Sequence, residues 1–275
     1  MAILLALVSS LMWGGSDFLG GLISRRRPAV VIVGWSATFG LVMASVAVAL
    51  TEGWHGPYGW VSWGVAAGVS GALGLVSYYL ALATGTMGVV APVTSLGVVV
   101  PVMVGLLSGE SPSAVVWSGI VVAIAGIVLT SGPELSGGVS ARPVLIAALA
   151  GVFFGIFFVF ADRGAEDSPL LTLWAMRASV SAVFVTLAMA KRTTGGLAGR
   201  DVWLVVLVAF GDLGANLSFA VASTMGFISI TSVLSSLFPV VTVLLARVVL
   251  KERLRRVQII GVAVTMLGVA CISAG

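Results

Sequence analysis

The sequence predicts an all-α integral membrane protein of ten transmembrane helices in two inverted five-helix repeats. Three observations lead there. Of 275 residues, 59% are hydrophobic and only 9% charged, with mean hydropathy +1.18. A soluble domain carries about 25% charged residues, and this chain has too few to cover a water-facing surface. The apolar residues gather in continuous runs, each about 17–25 residues long, the length that crosses a hydrocarbon core. Finally, one motif occurs twice, with basic residues crowding only one of its copies.

In order, the runs are Ala2–Ile23, Ala29–Leu50, Trp60–Ala83, Val89–Leu107, Ala114–Ser131, Pro143–Ala161, Pro169–Ala190, Val202–Ser223, Phe227–Val249 and Val257–Ser273. They are continuous rather than alternating, which favours helices over a barrel. The first run has no basic leader and exceeds the roughly 7–15 apolar residues of a signal peptide, so it is expected to be a membrane helix. No soluble domain is expected at either end. In the third run Gly64, Gly68, Gly71 and Gly74 form a small-residue stripe, the pattern of close helix packing. Pro101 and Pro239, in the fourth and ninth runs, lack a donor and free the carbonyls of Gly97 and Ser235. In lipid such carbonyls must be satisfied or line a wet cavity. Ser235, Ser236, Thr94 and Ser95 are then candidates to face that cavity; the alternative is a kink with each hydroxyl bonded to its own helix. Cys271, the single cysteine, lies in the tenth run as a packed thiol and excludes an intramolecular disulfide or a cysteine-cluster metal site.

The longest polar joint, 132–142 (GPELSGGVSAR), suits a linker between a first repeat at 1–131 and a second at 143–275. Pro101, Glu110 and Gly119 are answered by Pro239, Glu252 and Gly261. Trp13-Gly14 aligns with Phe154-Gly155, Pro28 with Pro169, and Thr86-Met87-Gly88 with Thr224-Met225-Gly226. Five crossings is an odd number, so the second half begins on the opposite side, the inverted plan of many secondary transporters. Arg25, Arg26, Arg27, Arg142, Lys191, Arg192, Arg200, Arg247, Lys251, Arg253, Arg255 and Arg256 follow odd-numbered runs, and only Arg163 follows an even one. Cytoplasmic loops hold the bases, which puts both termini outside. The net charge of +4 is thereby assigned to the membrane face rather than to nucleic acid, which is not an expected partner.

Leu11-Met12-Trp13-Gly14, Pro239-Val240-Val241 and Leu250-Lys251-Glu252-Arg253-Leu254, leading to Gly261 and Gly268, resemble the EamA-type permeases of the drug/metabolite transporter superfamily. The resemblance covers essentially the whole chain. The first-half copy departs from it: Pro101 to Glu110 is about one helical turn shorter than Pro239 to Glu252, and Ser111 replaces the base after the glutamate. The resemblance implies a multi-pass carrier of the plasma (inner) membrane, moving metabolites, amino acids or drugs, often outward. It also implies a central cavity lined by the first, third, fourth, sixth, eighth and ninth helices. The expected partners are a small-molecule substrate, the bilayer and protons as coupling ion, in a monomer without a cofactor or metal.

Ionisable groups inside an apolar span point to function. Asp212 lies near the middle of the eighth run, with Asn216 one turn later on the same face. Asp17 lies in the last third of the first run and Arg177 near the middle of the seventh. Asp212 is the leading candidate to hold a coupling proton or a substrate cation, and Asp17 is its reserve. If all are ionised the three charges sum to −1, which suits a proton, an amine or a zwitterion held between Arg177 and Asp212. The plainer readings are a structural bond from Asp212 to Asn216, a permanent pair of Arg177 with Asp212 or Asp162, and an Asp17 that joins the basic end of its helix. Tyr78 aligns with Asn216 and is expected to face it, while Trp13 and Phe157 are expected to form an aromatic wall. Glu110 and Glu252, at the surface, are expected to pair with bases or cap helix starts.

The only histidine, His55, lies in a loop near Glu52, and no G-x-S-x-G or H-E-x-x-H motif occurs, so hydrolase chemistry is not expected. No selectivity-filter sequence marks a channel. Beside a carrier of amino acids or related amphipathic or cationic compounds stand two alternatives. One is a multidrug or organic-cation/proton antiporter. The other is a non-transporting scaffold, for which Asp212→Asn would have no effect on activity.

Overall fold

The computed structural model describes residues 1–24, 26–51, 54, 56, 58–84, 93–94, 96–130, 141–193, 195–197, 199–249 and 256–274. All regular structure among them is helical. The helices are α1 (Ala2–Ser24), α2 (Ala29–Leu50), α3 (Gly59–Thr84), a 3₁₀ turn (Leu96–Val98), α4 (Val99–Leu107), α5 (Ala114–Thr130), α6 (Ala141–Ala165), α7 (Pro169–Ala190), α8 (Gly199–Thr224), α9 (Ile228–Ser235), α10 (Phe238–Val249) and α11 (Arg256–Ala274). Among the described residues six of these, α1, α2, α3, α6, α7 and α8, are long and apolar enough to cross a membrane, and the other apolar helices are shorter. Thr86–Gly88, Ser95, 131–140 of the joint, His55, Glu52 and the Lys251–Arg255 turn lie outside the described residues.

The ninth run, expected as one helix, is broken. It ends as α9 at Ser235, turns through Ser236 and Leu237, and restarts as α10 with Pro239 in its first turn. The physical reason is the proline: inside a helix it costs about 3 kcal/mol, whereas a first turn needs no donor there. The fourth run likewise passes through a 3₁₀ turn before α4, which places Pro101 at its third residue. Two of the candidate hydroxyls are bonded across helices instead. Ser235 is fully buried and donates to the Ala6 carbonyl at 3.4 Å, and Thr94 donates to the Ala147 carbonyl at 3.2 Å. The Gly97 carbonyl lies against Gly155.

The two halves interleave. α1 packs along α8 and α10, while α3 packs along α6 and α7, so helices from both halves share each bundle; α2 lies across both, and α5 with α11 forms a pair at the side. Small residues allow the approach. A Cβ on Gly68 would sit 2.6 Å from the Met176 carbonyl oxygen of α7, and Gly71 and Gly74 face Phe157 and Phe154 of α6. The expected glycine stripe is therefore a packing seam. The same device serves both halves: Gly14 of α1 lies under Phe238 and Val241 of α10, and Gly155 of α6 lies under Gly97 and Val100.

The molecule has two polar ends. One carries Arg26, Arg27, Lys191, Arg192, Arg200 and Arg256, and there Arg27 pairs with Asp201 at 2.8 Å. At the other, Gly226 abuts Ala2, Gly59 abuts Asp167, and Arg163 bonds Glu166 at 3.0 Å.

Candidate functional site

Between the bundles lies an apolar cavity of about 110 Å³. Its charged groups come from three helices. Asp212 on α8 receives Arg177 Nη1 of α7 at 2.7 Å on one carboxylate oxygen. On the other oxygen it receives Trp13 Nε1 of α1 at 3.0 Å and Asn216 Nδ2 at 2.9 Å. Asn216 also donates to the Asp212 carbonyl at 2.6 Å, the i,i+4 contact that its spacing predicts. Three donors converging on one carboxylate fix its orientation and compensate its burial.

Arg177 reaches this point because α2 presents Gly40, where a Cβ would lie 3.2 Å from Arg177 Cδ. Only one of its nitrogens is used. Nε and Nη2 are buried and have no partner among the described residues. Asp17 lines the same cavity one turn beyond Trp13, and among the described residues it makes no ion pair. One carboxylate and two guanidinium nitrogens thus keep free bonding capacity in an apolar enclosure.

One side of the site is closed by rings. Trp13 lies edge-on to Phe158 at 5.6 Å and to Phe157 at 6.0 Å, and Phe158 meets the fully buried Phe219 at 4.8 Å. These rings lie on the Arg163 side of Asp17 and Asp212. From there the cavity runs past Ser36 and Val33 of α2 and Leu75 and Tyr79 of α3 toward the basic end.

The structure therefore brings together Asp212, Asn216, Asp17, Arg177, Trp13 and Phe157. It does not bring Tyr78 or Ser235 to the cavity wall. Tyr78 is buried against Tyr79 and Phe154, with ring centroids 6.0 and 6.2 Å away. The neighbouring Tyr79 faces the cavity instead, because Gly68, Ala72, Leu75 and Tyr79 share one stripe of α3 and Tyr78 lies about 100° round the helix. The lining helices also differ from expectation. α2 and α7 supply Ser36 and Arg177, and no described residue of α4 takes part, because its 3₁₀ entry packs against α6. Arg177 pairs with Asp212 rather than Asp162, which lies near the Arg163 end.

A model of the EamA-like transporter family matches residues 1–132 and again residues 141–274. No curated protein matches the chain. Among solved structures, one whose description reads "Crystal structure of protein" is 21% identical, with a TM-score of 0.80 over 99% of this chain and 96% of its own. At that identity the likeness carries the fold alone.

Proposed function

This chain belongs to the EamA-like transporter family, and from that premise we propose that it is a secondary transporter, exporting small metabolites by alternating access through the cavity between the bundles. The observation that carries this reading is the unspent bonding capacity there: among the described residues the Asp17 carboxylate makes no ion pair, and the buried Nε and Nη2 of Arg177 have no partner. A zwitterion matches that arrangement, with its carboxylate on Arg177 and its ammonium on Asp17, its apolar part resting on Trp13 and Phe157. Asp212, engaged by three donors, then holds Arg177 in place, and Asp17 takes the role of proton or cation carrier. An organic-cation/proton antiporter is the second reading, favoured by the same free carboxylate beside aromatic rings.

We further take the chain to make ten crossings of the plasma membrane as two inverted repeats, with the basic end cytoplasmic and both termini outside. The segregation of bases to one end supports this. A one-sided reporter fused at Gly275 is expected to read outside; a cytoplasmic signal would reverse the orientation. For the substrate, the purified protein is screened by thermal shift against amino acids, nucleosides, polyamines and aromatic cations. A ligand at about 100 times its Kd stabilises by about 2.7 kcal/mol. Zwitterionic amino compounds are expected to shift the transition. Stabilisation by polyamines or aromatic cations alone would favour the antiporter reading.

A further inference from the structure

We propose that Glu110 is the latch of a gate: its carboxylate clasps the start of α9 across the two bundles and holds the Arg163 end of the molecule shut. The contact is bidentate. Ile228 N–H donates to one carboxylate oxygen at 2.5 Å and Ser229 N–H to the other at 3.1 Å. Amides at a helix start have no partner within the helix and favour an anion. The local N-cap residue, Phe227, supplies no side-chain bond, so the cap comes from the other half of the chain. Glu110 follows α4, and the 3₁₀ entry to α4 packs against α6 of one bundle. α9 continues into α10, which packs on α1 of the other. α4 and α9 also pack directly on each other, so the clasp fastens a seam that runs from α6 to α1 across the two bundles.

The sequence builds a hook for this purpose. Gly109 takes φ +93°, a left-handed turn that glycine adopts without strain, and the Glu110 N–H bonds back to the Gly105 carbonyl at 3.0 Å. Gly105 also leaves room for the carboxylate: a Cβ there would collide with Glu110 and would lie 3.1 Å from Ile228. A second feature makes the clasp releasable. It borders a polar hollow lined by Ser108, Asp162, Arg163 and Ser223, so water can reach the carboxylate when α9 withdraws. Nothing equivalent locks the basic end among the described residues: the Arg27–Asp201 pair there ties the α1–α2 turn to α8, within one bundle. The clasp, the ring floor beneath it and the extension of the cavity toward the basic end describe one state, closed at the Arg163 end.

The meaning of the latch for transport rests on the alternating-access reading, but its opening is measurable without substrate. In a Cys271→Ala background, spin labels at Leu107→Cys and Met225→Cys report the separation of α4 from the α8–α9 turn by pulsed electron resonance. With Glu110 present, a single short distance is expected. Glu110→Ala is expected to make a longer distance the majority population. Gly105→Ala, which keeps the glutamate but displaces it, is expected to do the same. If Glu110→Ala lowers the melting temperature while the distances stay unchanged, Glu110 is a helix cap only and the latch is wrong. Should Glu110→Ala fail to fold, Glu110→Gln carries the same reading, with a partial shift expected and an unchanged distribution overturning the proposal. Opening by these variants in a protein that transports nothing would defeat the transport reading and leave the latch standing.

Discussion

Removing the charge of Asp212 tests how the cavity is held. Asp212→Asn keeps an oxygen for Trp13 and Asn216 but strips the guanidinium of its counter-charge. The two side chains are 11% and 22% exposed, so the pair is largely out of water. A hydrogen bond to a charged group contributes about 1.5–3 kcal/mol, and breaking a buried pair costs about 3–5 kcal/mol, because the other charge is stranded. Here Asp17 shares the cavity and part of Asp212 is wet, which places the expected loss at about 2–4 kcal/mol. Arg177→Gln should destabilise by a similar amount. The double variant strands neither charge, so the cycle should show a coupling of about 2 kcal/mol, measured by detergent-titrated unfolding in mixed micelles. Single-variant losses that add to the double within about 0.5 kcal/mol would refute the ion pair as the organising contact. Transport separates a working pair from a merely structural one. The double variant should regain stability and stay inactive, since it lacks the free N–H groups of Arg177; recovery of transport would make the pair structural.

Two further outcomes follow from the geometry. Trp13→Phe removes one donor from Asp212 and keeps the ring floor, so it should cost about 1 kcal/mol of stability and weaken substrate binding in a thermal-shift titration. In a Cys271→Ala background, cysteines at Ser36 and Tyr79 should react with a water-soluble thiol reagent while those at Tyr78 and Ser235 stay protected. The reverse pattern would mean that α2 and α3 present other faces to the cavity.

What the sequence disclosed follows from the range of each signal. Depth along an apolar run is local, so Asp17, Arg177 and Asp212 were legible as unusual, and the four-residue step from Asp212 to Asn216 was enough to pair them. The seam at Gly64, Gly68, Gly71 and Gly74 was legible for the same reason. Which face of a helix meets the cavity is decided by its neighbours, which a local pattern does not name. Tyr78 and Tyr79 are adjacent in sequence, and only the stripe through Gly68, Ala72 and Leu75 separates them. The role of α2 depends on Gly40 making way for the stem of Arg177, a contact between distant segments. Pro101 and Pro239 signalled kinks, but whether the chain bends or breaks depends on the partners at hand. For Ser235 the Ala6 carbonyl provided one, and the hydroxyl left the cavity wall. The surface position of Glu110 after a helix suits a cap, but the helix it caps belongs to the opposite half, a contact that only the fold creates.

The transport reading stands or falls on the cavity that holds Asp17, Arg177 and Asp212. It is tested most directly by counterflow in proteoliposomes, comparing the chain with Asp17→Asn and using the compound that gives the largest thermal shift. Asp17 makes no ion pair among the described residues, so this change should leave the melting temperature nearly unaltered. Asp17→Asn is expected to abolish both the ligand-induced shift and counterflow. A variant that binds and exchanges the compound as well as the unaltered chain would contradict it.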